Sequence, residues 1–451
     1  MRSVSDVLLA ILAVCAVFAP GCSRNTEAPG ASRPVSAGAG DQSGYVGSER
    51  CGACHARNYH AWRGTKHANM LTEPGSRPVA GDFTRDAASP VPDKAGSAGG
   101  PLARMFERAG VRYVSVDLPS GGVEYAVAYV LGGSRRQMFL GASGDGKLFV
   151  LPVQWNAREG RWSEADGAGT VDAATSDWLR DCAGCHVTGL DPGRALGSAQ
   201  GSAGRPWSEN GIGCEACHGP GARHANSKNP EKPDTIFNPG NSHDGLRAGM
   251  VCGRCHTRGA AVGGSPYPVG FEPGQDFRRG FAQISPAEAH SFWPDGSSRG
   301  NRQQYLDFSR SIMFARGVTC WSCHNPHKSS ENNSSGLRQT GDALCRSCHT
   351  RQTGGRGLTH AIHDNGGCRG CHMPLTAGGS PVGELASHRF TPVPPSATLE
   401  LGAGDTNRQP NSCNGCHYHG KQPPADLDAY LKGRIKSHYA GQTGLGGRGK
   451  P

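Results

Sequence analysis

Between residues 320 and 372 the chain reads Cys320-Trp-Ser-Cys323-His324, then Cys345-Arg-Ser-Cys348-His349, then Cys368-Arg-Gly-Cys371-His372. The same word, C-x-x-C-H, recurs as Cys51/Cys54/His55, Cys182/Cys185/His186, Cys214/Cys217/His218, Cys252/Cys255/His256 and Cys413/Cys416/His417. Eight copies use 16 of the 18 cysteines, where this composition would supply about 0.03 by chance. Two thiols three residues apart can add to the two vinyl groups along one edge of a porphyrin. The histidine that follows then lies under the ring, with its imidazole on the iron. Zinc ribbons also use C-x-x-C, but they need two pairs per metal and no histidine after each pair. The words therefore imply eight covalently bound haem c groups, with the eight histidines just named as proximal ligands.

That inventory changes how length and charge are read. The chain has 451 residues, so eight haems leave about 54 mature residues for each, too few for conventional cores. Hydrophobic residues make up 36% and glycine numbers 68; glycine lets backbone approach a porphyrin face closely. The expected fold is a multihaem cytochrome c, with mostly short α-helices and irregular loops around stacked haems and a small antiparallel β insertion. The formal charge of +10 does not point to nucleic acid. Two propionates per haem, partly offset by ferric iron, bring the loaded protein near neutrality, and no basic run with interleaved aromatics occurs.

The N-terminus implies export. Val7 to Ala19 is an apolar run of signal-peptide length, too short to span a bilayer. It ends in Phe18-Ala-Pro-Gly21-Cys22, which resembles a bacterial lipoprotein signal, with Ala19 where that signal prefers leucine. Cys22 is then an acylated anchor, ordinary signal cleavage being the alternative, and the location is the periplasm or outer membrane. The expected organisation is a signal peptide over 1–21, a flexible tether over 22–43 and a first haem segment over 44–110. A β insertion over 111–165, a seven-haem core over 176–420 and a short helix with a disordered tail over 421–451 follow. Within the first segment, 58–69 reads as a helix with His60 and His67 on one face, and 73–104 reads as loop. Short β-rich runs separated by Ser-Gly-Gly, Gly-Gly-Ser and Gly-Asp-Gly mark the insertion. Word starts are separated by 131, 32, 38, 68, 25, 23 and 45 residues, a stacked globule and no uniform solenoid.

Eleven histidines remain as sources of second axial ligands: His60, His67, His224, His243, His290, His327, His360, His363, His388, His419 and His438. His224 follows a Gly-Pro-Gly turn after the third word, and His327 lies in Asn325-Pro-His327 after the fifth. His360 and His363 are one helical turn apart, and His388 sits in an extended stretch. His419 is too close to His417 to cross the same haem, and the methionines are read as packing.

Several motifs carry a resemblance. Tyr45-Val-Gly-Ser-Glu-Arg-Cys51-Gly-Ala-Cys54-His55 with Ala61-Trp-Arg-Gly-Thr-Lys-His67-Ala68 is similar to bacterial multihaem cytochromes related to the tetrahaem electron acceptor of hydroxylamine oxidoreductase. Leu151-Pro-Val-Gln-Trp155, Gly213-Cys-Glu-Ala-Cys217-His-Gly-Pro-Gly221, Gly317-Val-Thr-Cys320 and Pro410-Asn-Ser-Cys413 resemble the type often fused to tetratricopeptide repeats. The likeness spans about residues 44–420, and no such repeats occur in this sequence. It implies parallel and perpendicular haem pairs, and distal ligation by His67, His224, His327 and His388.

The function expected is electron transfer between redox partner proteins: a quinol-linked or periplasmic cytochrome donor, and a terminal reductase or outer-membrane acceptor. The alternative is a multihaem reductase of nitrite, hydroxylamine or sulfur oxyanions, which needs an iron with an open position. No C-x-x-C-K word occurs, and the first haem, set apart by the β insertion, is the place to look for such an opening.

Overall fold

Two antiparallel sheets stand between the first and second words, and the alternation of their residues explains how they stack. In the computed structural model the five-stranded sheet runs in the order Leu71–Thr72, Tyr129–Gly132, Arg136–Ala142, Leu148–Asn156, Arg161–Glu164. A four-stranded sheet is formed in chain order by Ala87–Pro90, Leu102–Arg108, Val111–Leu118 and Gly121–Ala126. The structure describes residues 44–443 except 85–86, 91–101, 119–120, 134, 145, 166–176, 196–204, 230–234, 289, 329–334, 351–366, 379–384, 401–407 and 417–418. The signal, the tether, Cys22, His360, His363 and His417 thus lie outside the described residues.

Successive strand residues point to opposite faces. Val130, Phe139, Phe149, Leu151 and Val153 face the four-stranded sheet, meeting Ala103, Met105, Val114 and Val116 in one core closed by Phe83 and Trp162. Their neighbours Tyr129, Leu131, Leu140 and Leu148 face the other way, onto Trp178, Ala183, Val187 and Trp207. The five-stranded sheet is therefore buried on both faces, and its second face covers the segment that carries the second word.

The insertion is larger than the expected 111–165. Leu102–Arg108 places Ala103 and Met105 in the core between outward residues, and it pairs with Val111–Leu118 through Ala109-Gly110. Both turn residues have positive φ, 51° and 76°, the geometry of a tight two-residue hairpin. The helix expected over 58–69 is shorter: Ala56–Trp62 ends just before Gly64, so His67 lies in the turns beyond it. Near the C-terminus, Pro424 at the first helical position opens a helix that runs to Thr443, longer than the short one expected.

From residue 177 the chain consists of short helices and turns, with small two-stranded ladders at 187–188/209–210, 259–261/281–283 and 375–377/385–386. Among the described residues no helix is long and apolar enough to cross a membrane. Between Ile312 and Met373, Gly336 is the one described residue that is buried, so the described residues form no core of their own there.

Candidate haem and electron-transfer site

Each word is built on a helical turn. The amide of His55 donates to the Cys51 carbonyl at 2.9 Å, and His256 to Cys252, His324 to Cys320 and His349 to Cys345 do the same at 3.0, 2.9 and 2.9 Å. This puts the cysteines at i and i+3 on one face, with the histidine one residue on. In three words a variable position is glycine for packing reasons: a Cβ on Gly52 would lie 2.7 Å from the Tyr59 ring. A Cβ on Gly184 would lie 2.1 Å from the Tyr267 ring, and one on Gly253 would lie 2.9 Å from Phe277 and Tyr305. The Tyr267 hydroxyl donates to the Leu179 carbonyl, clamping the π-helical turn Leu179–Ala183 that leads into the second word.

Four of the histidines that close a word face a distant imidazole. Ring centroids of His55 and His224 are 6.1 Å apart, His218 and His327 6.1 Å, His67 and His256 6.3 Å, and His324 and His388 6.4 Å. Interplanar angles are 18°, 8°, 75° and 25° respectively. An iron bonded to two imidazoles at ordinary metal–nitrogen lengths of about 2 Å needs ring centroids about 6 Å apart. The spacing fits a haem between each pair. Burial pushes the His67 and His388 rings down to about 4, so both are neutral imidazoles, the form that binds a metal.

The far nitrogens of several proximal rings are held by backbone. Nδ1 of His218 meets the Phe237 carbonyl at 2.9 Å, that of His324 the Ser335 carbonyl at 2.8 Å, and that of His372 the Phe390 carbonyl at 3.1 Å. Such partners fix ring orientation and raise ligand basicity. His256 Nδ1 lies 3.4 Å from Gln304 Oε1.

The second word differs. Nδ1 of His186 is buried and has no hydrogen-bond partner among the described residues, and the same holds for the indole nitrogen of fully buried Trp178. The ring found at stacking range from His186 is that indole, 5.8 Å away and tilted by 39°. Burial, with the nearby charge of Arg302, pushes His186 down to about 4.

Cysteines of different words also meet. The thiols of Cys51 and Cys214, Cys185 and Cys255, Cys252 and Cys320, and Cys345 and Cys368 are near enough to act on one another. Cys217 is close enough to Cys255, Cys323 to Cys348, and Cys371 to Cys416 for their charges to act on one another. Words one, three, four, five, six, seven and eight thus follow one another in space, and word two joins at word four.

Two buried carboxylates fix this arrangement, and sequence reasoning missed both. Glu215 accepts from the amides of Val46, Gly47 and Gly221 at 2.9, 2.8 and 2.7 Å, tying the first word to the third. Asp307 accepts from Ser298, Ser387 and the His388 amide at 2.7, 3.2 and 3.2 Å; burial pushes its carboxyl up. Glu215 does lie inside a word, but only the fold reveals its partners. Of the other histidines, His60 packs on Tyr59, His243 and His290 are exposed, and His419 Nδ1 lies 2.6 Å from Gln422 Oε1.

The words and the facing imidazoles have the chemistry of covalent haem c attachment, and the chain has the fold of a multihaem c-type cytochrome. A family model for cytochrome c554 and c-prime matches residues 50–81 and 155–219, and one for the doubled CXXCH motif matches 313–354. Among solved structures, the outer cell wall cytochrome OcwA is similar over 85% of this chain and 86% of its own, with TM-score 0.60 and 24% identity. An undecahaem cytochrome from the S-layer of Carboxydothermus ferrireducens matches 88% of this chain and 60% of its own (TM-score 0.44, 19% identity). The octahaem sulfite reductase MccA of Wolinella succinogenes matches 84% and 59% (TM-score 0.39, 17% identity). No curated protein matches the chain.

Proposed function

We propose that the protein is an exported octahaem electron carrier that passes electrons between redox partner proteins. The observation that carries this reading is the set of four imidazole pairs at 6.1–6.4 Å, joined through neighbouring words into one path. Each bound haem supplies a one-electron iron couple. His55/His224, His218/His327, His256/His67 and His324/His388 would hold four irons from both sides, and His186, His349, His372 and His417 would hold the rest from one side. His360 and His363 remain candidates for the distal sides of the later words. Neighbouring words would place successive haems side by side, with the words at Cys51–His55 and Cys413–His417 as the two ends of the path. Cys22 anchors the chain to a membrane through lipid, at the periplasm or outer membrane. The outer-cell-wall location in the name of OcwA accords with export.

A second reading is favoured by one observation. Among the described residues an indole, and no imidazole, lies at stacking range from His186. An iron held by His186 alone would have an open position, which a reductase of nitrite, hydroxylamine or sulfur oxyanions requires. The place to look is therefore the second haem; the first has His224 opposite His55.

Turnover separates the two. A carrier, reduced and mixed with nitrite, hydroxylamine or sulfite, reoxidises slowly and without sustained turnover; multiple turnovers on any of the three establish the reductase. Replacing His224 with methionine should convert one low-spin bis-histidine signal into a His/Met one and raise that haem's potential. Unchanged ferric spectra would remove His224 from the ligand set.

A further inference from the structure

The residues from Ala386 to Phe390 are tied down one after another, and the last of them touches two haem sites. The Ala386 carbonyl meets His388 Nδ1 at 3.0 Å. The Ser387 hydroxyl and the His388 amide both donate to the buried Asp307 carboxylate at 3.2 Å. The Arg389 amide donates to the Ser387 hydroxyl at 3.3 Å, and its guanidinium donates to the Asp295 carbonyl. Phe390 then does two things. Its ring packs edge-on to His388 at 6.1 Å and 73°, and edge-on to Phe308, which follows Asp307 on the buried helix Gln304–Ser309, at 6.2 Å and 76°. Its carbonyl is the group that meets His372 Nδ1 at 3.1 Å. Phe390 holds φ 59°, a left-handed conformation in which a bulky side chain is an outlier. Such a conformation persists only where the surroundings over-determine it. Rotation about φ turns the ring and the carbonyl together relative to the tied Arg389, so an ordinary negative φ would carry both off their partners.

Resting on the reading of His324, His388 and His372 as haem ligands, we infer that Phe390 is a positioning residue for two haems. Its ring sets the angle of the His388 imidazole on the fifth, opposite His324, and its carbonyl polarises the His372 imidazole of the seventh. An acceptor on Nδ1 makes an imidazole the stronger donor to iron and so stabilises the ferric state. The angle between two axial rings shapes the spectrum of a low-spin iron. One strained residue therefore serves two stations of the path, on either side of the sixth word.

The test is electron paramagnetic resonance and spectroelectrochemical titration of the loaded full-length protein. Two variants mark the components. His388→Met identifies the fifth haem by turning a bis-histidine signal into a His/Met one, and His372→Ala identifies the seventh by shifting or removing it. Phe390→Gly keeps a residue at ease with positive φ, so the carbonyl stays and the ring goes. The ferric signal of the fifth haem should change shape while the seventh keeps its midpoint. Phe390→Val, whose branched side chain resists that φ, should disturb both. It should raise the midpoint of the seventh by a tenfold change in its reduction equilibrium, about 59 mV for one electron. Phe390→Tyr keeps the ring and should leave both components in place. The inference is overturned if the fifth signal ignores Phe390→Gly, if the seventh midpoint ignores Phe390→Val, or if Phe390→Tyr disturbs the fifth signal as much as Phe390→Gly does. Failure of the ligand reading looks different: His388→Met would leave every bis-histidine signal intact, or His372→Ala would change no component.

Discussion

The second word and the run from the fifth to the seventh use the same five-residue chemistry in opposite settings. Around Cys182–His186 the polypeptide builds a core: Trp178 and Trp207 are fully buried, and a sheet with apolar residues on both faces lies against them. Between Ile312 and Met373 three words follow in quick succession, and Gly336 alone is buried among the described residues. One segment is held by protein packed on protein. The other has about twenty residues per word, and its described residues bury almost nothing against one another.

The largest break in that comparison should come from withholding haem. Chain produced without haem attachment should lose residues 312–373 to limited proteolysis within the time that 102–164 stays intact, and mass mapping of the fragments checks this. Equal cleavage of both regions would show that the sheets also depend on haem. Next in size is Trp178→Ala, which should destabilise the loaded protein by about 3–5 kcal/mol, the usual cost of deleting a large buried aromatic. Trp321→Ala, in the thinly covered segment, should cost far less in the same denaturant titration. Glu215→Ala leaves the amides of Val46, Gly47 and Gly221 without their acceptor. It should cost about 3 kcal/mol, seen as faster hydrogen exchange at residues 46 and 47 ahead of any change at 102–118.

The smallest effect is electrostatic. Its Arg278 partner holds Asp276 down to about 2, from an ordinary 3.8. A carboxyl depressed in the folded state contributes stability above its unfolded value and loses it as pH falls through the folded one. The contribution of this exposed pair should therefore fade between about pH 4 and pH 2 and stay within about 1 kcal/mol. Asp276→Asn should flatten the acid limb of the stability curve by that amount and leave neutral pH nearly unchanged.

Attachment sites were legible in the sequence because thioether chemistry forces two cysteines and a histidine into one turn. Distal ligands are not so constrained. His224 faces His55 from 169 residues away and His67 faces His256 from 189, and no spacing rule reaches that far. Resemblance singled out His67, His224, His327 and His388, whereas the helix expected to carry His67 stops at Trp62. Strands between 111 and 156 were readable from their turns, except that the break at Val127-Ala128, which sends Gly121–Ala126 and Tyr129–Gly132 into different sheets, carries no turn signal. Leu102–Arg108 was missed because it follows a Pro- and Gly-rich stretch, and its inward residues, Ala103 and Met105, are weak strand signals. The unusual second word could not be seen at all. Its sequence, Cys182-Ala-Gly-Cys185-His186, is ordinary, and its character comes from Trp178 and the sheet above it.

The most direct measurement is the intact mass of the mature loaded protein. Eight haem masses above the polypeptide are expected, since each word carries one. A smaller whole number, or zinc in place of the increments, would contradict the reading of the words as haem sites joined in one electron path.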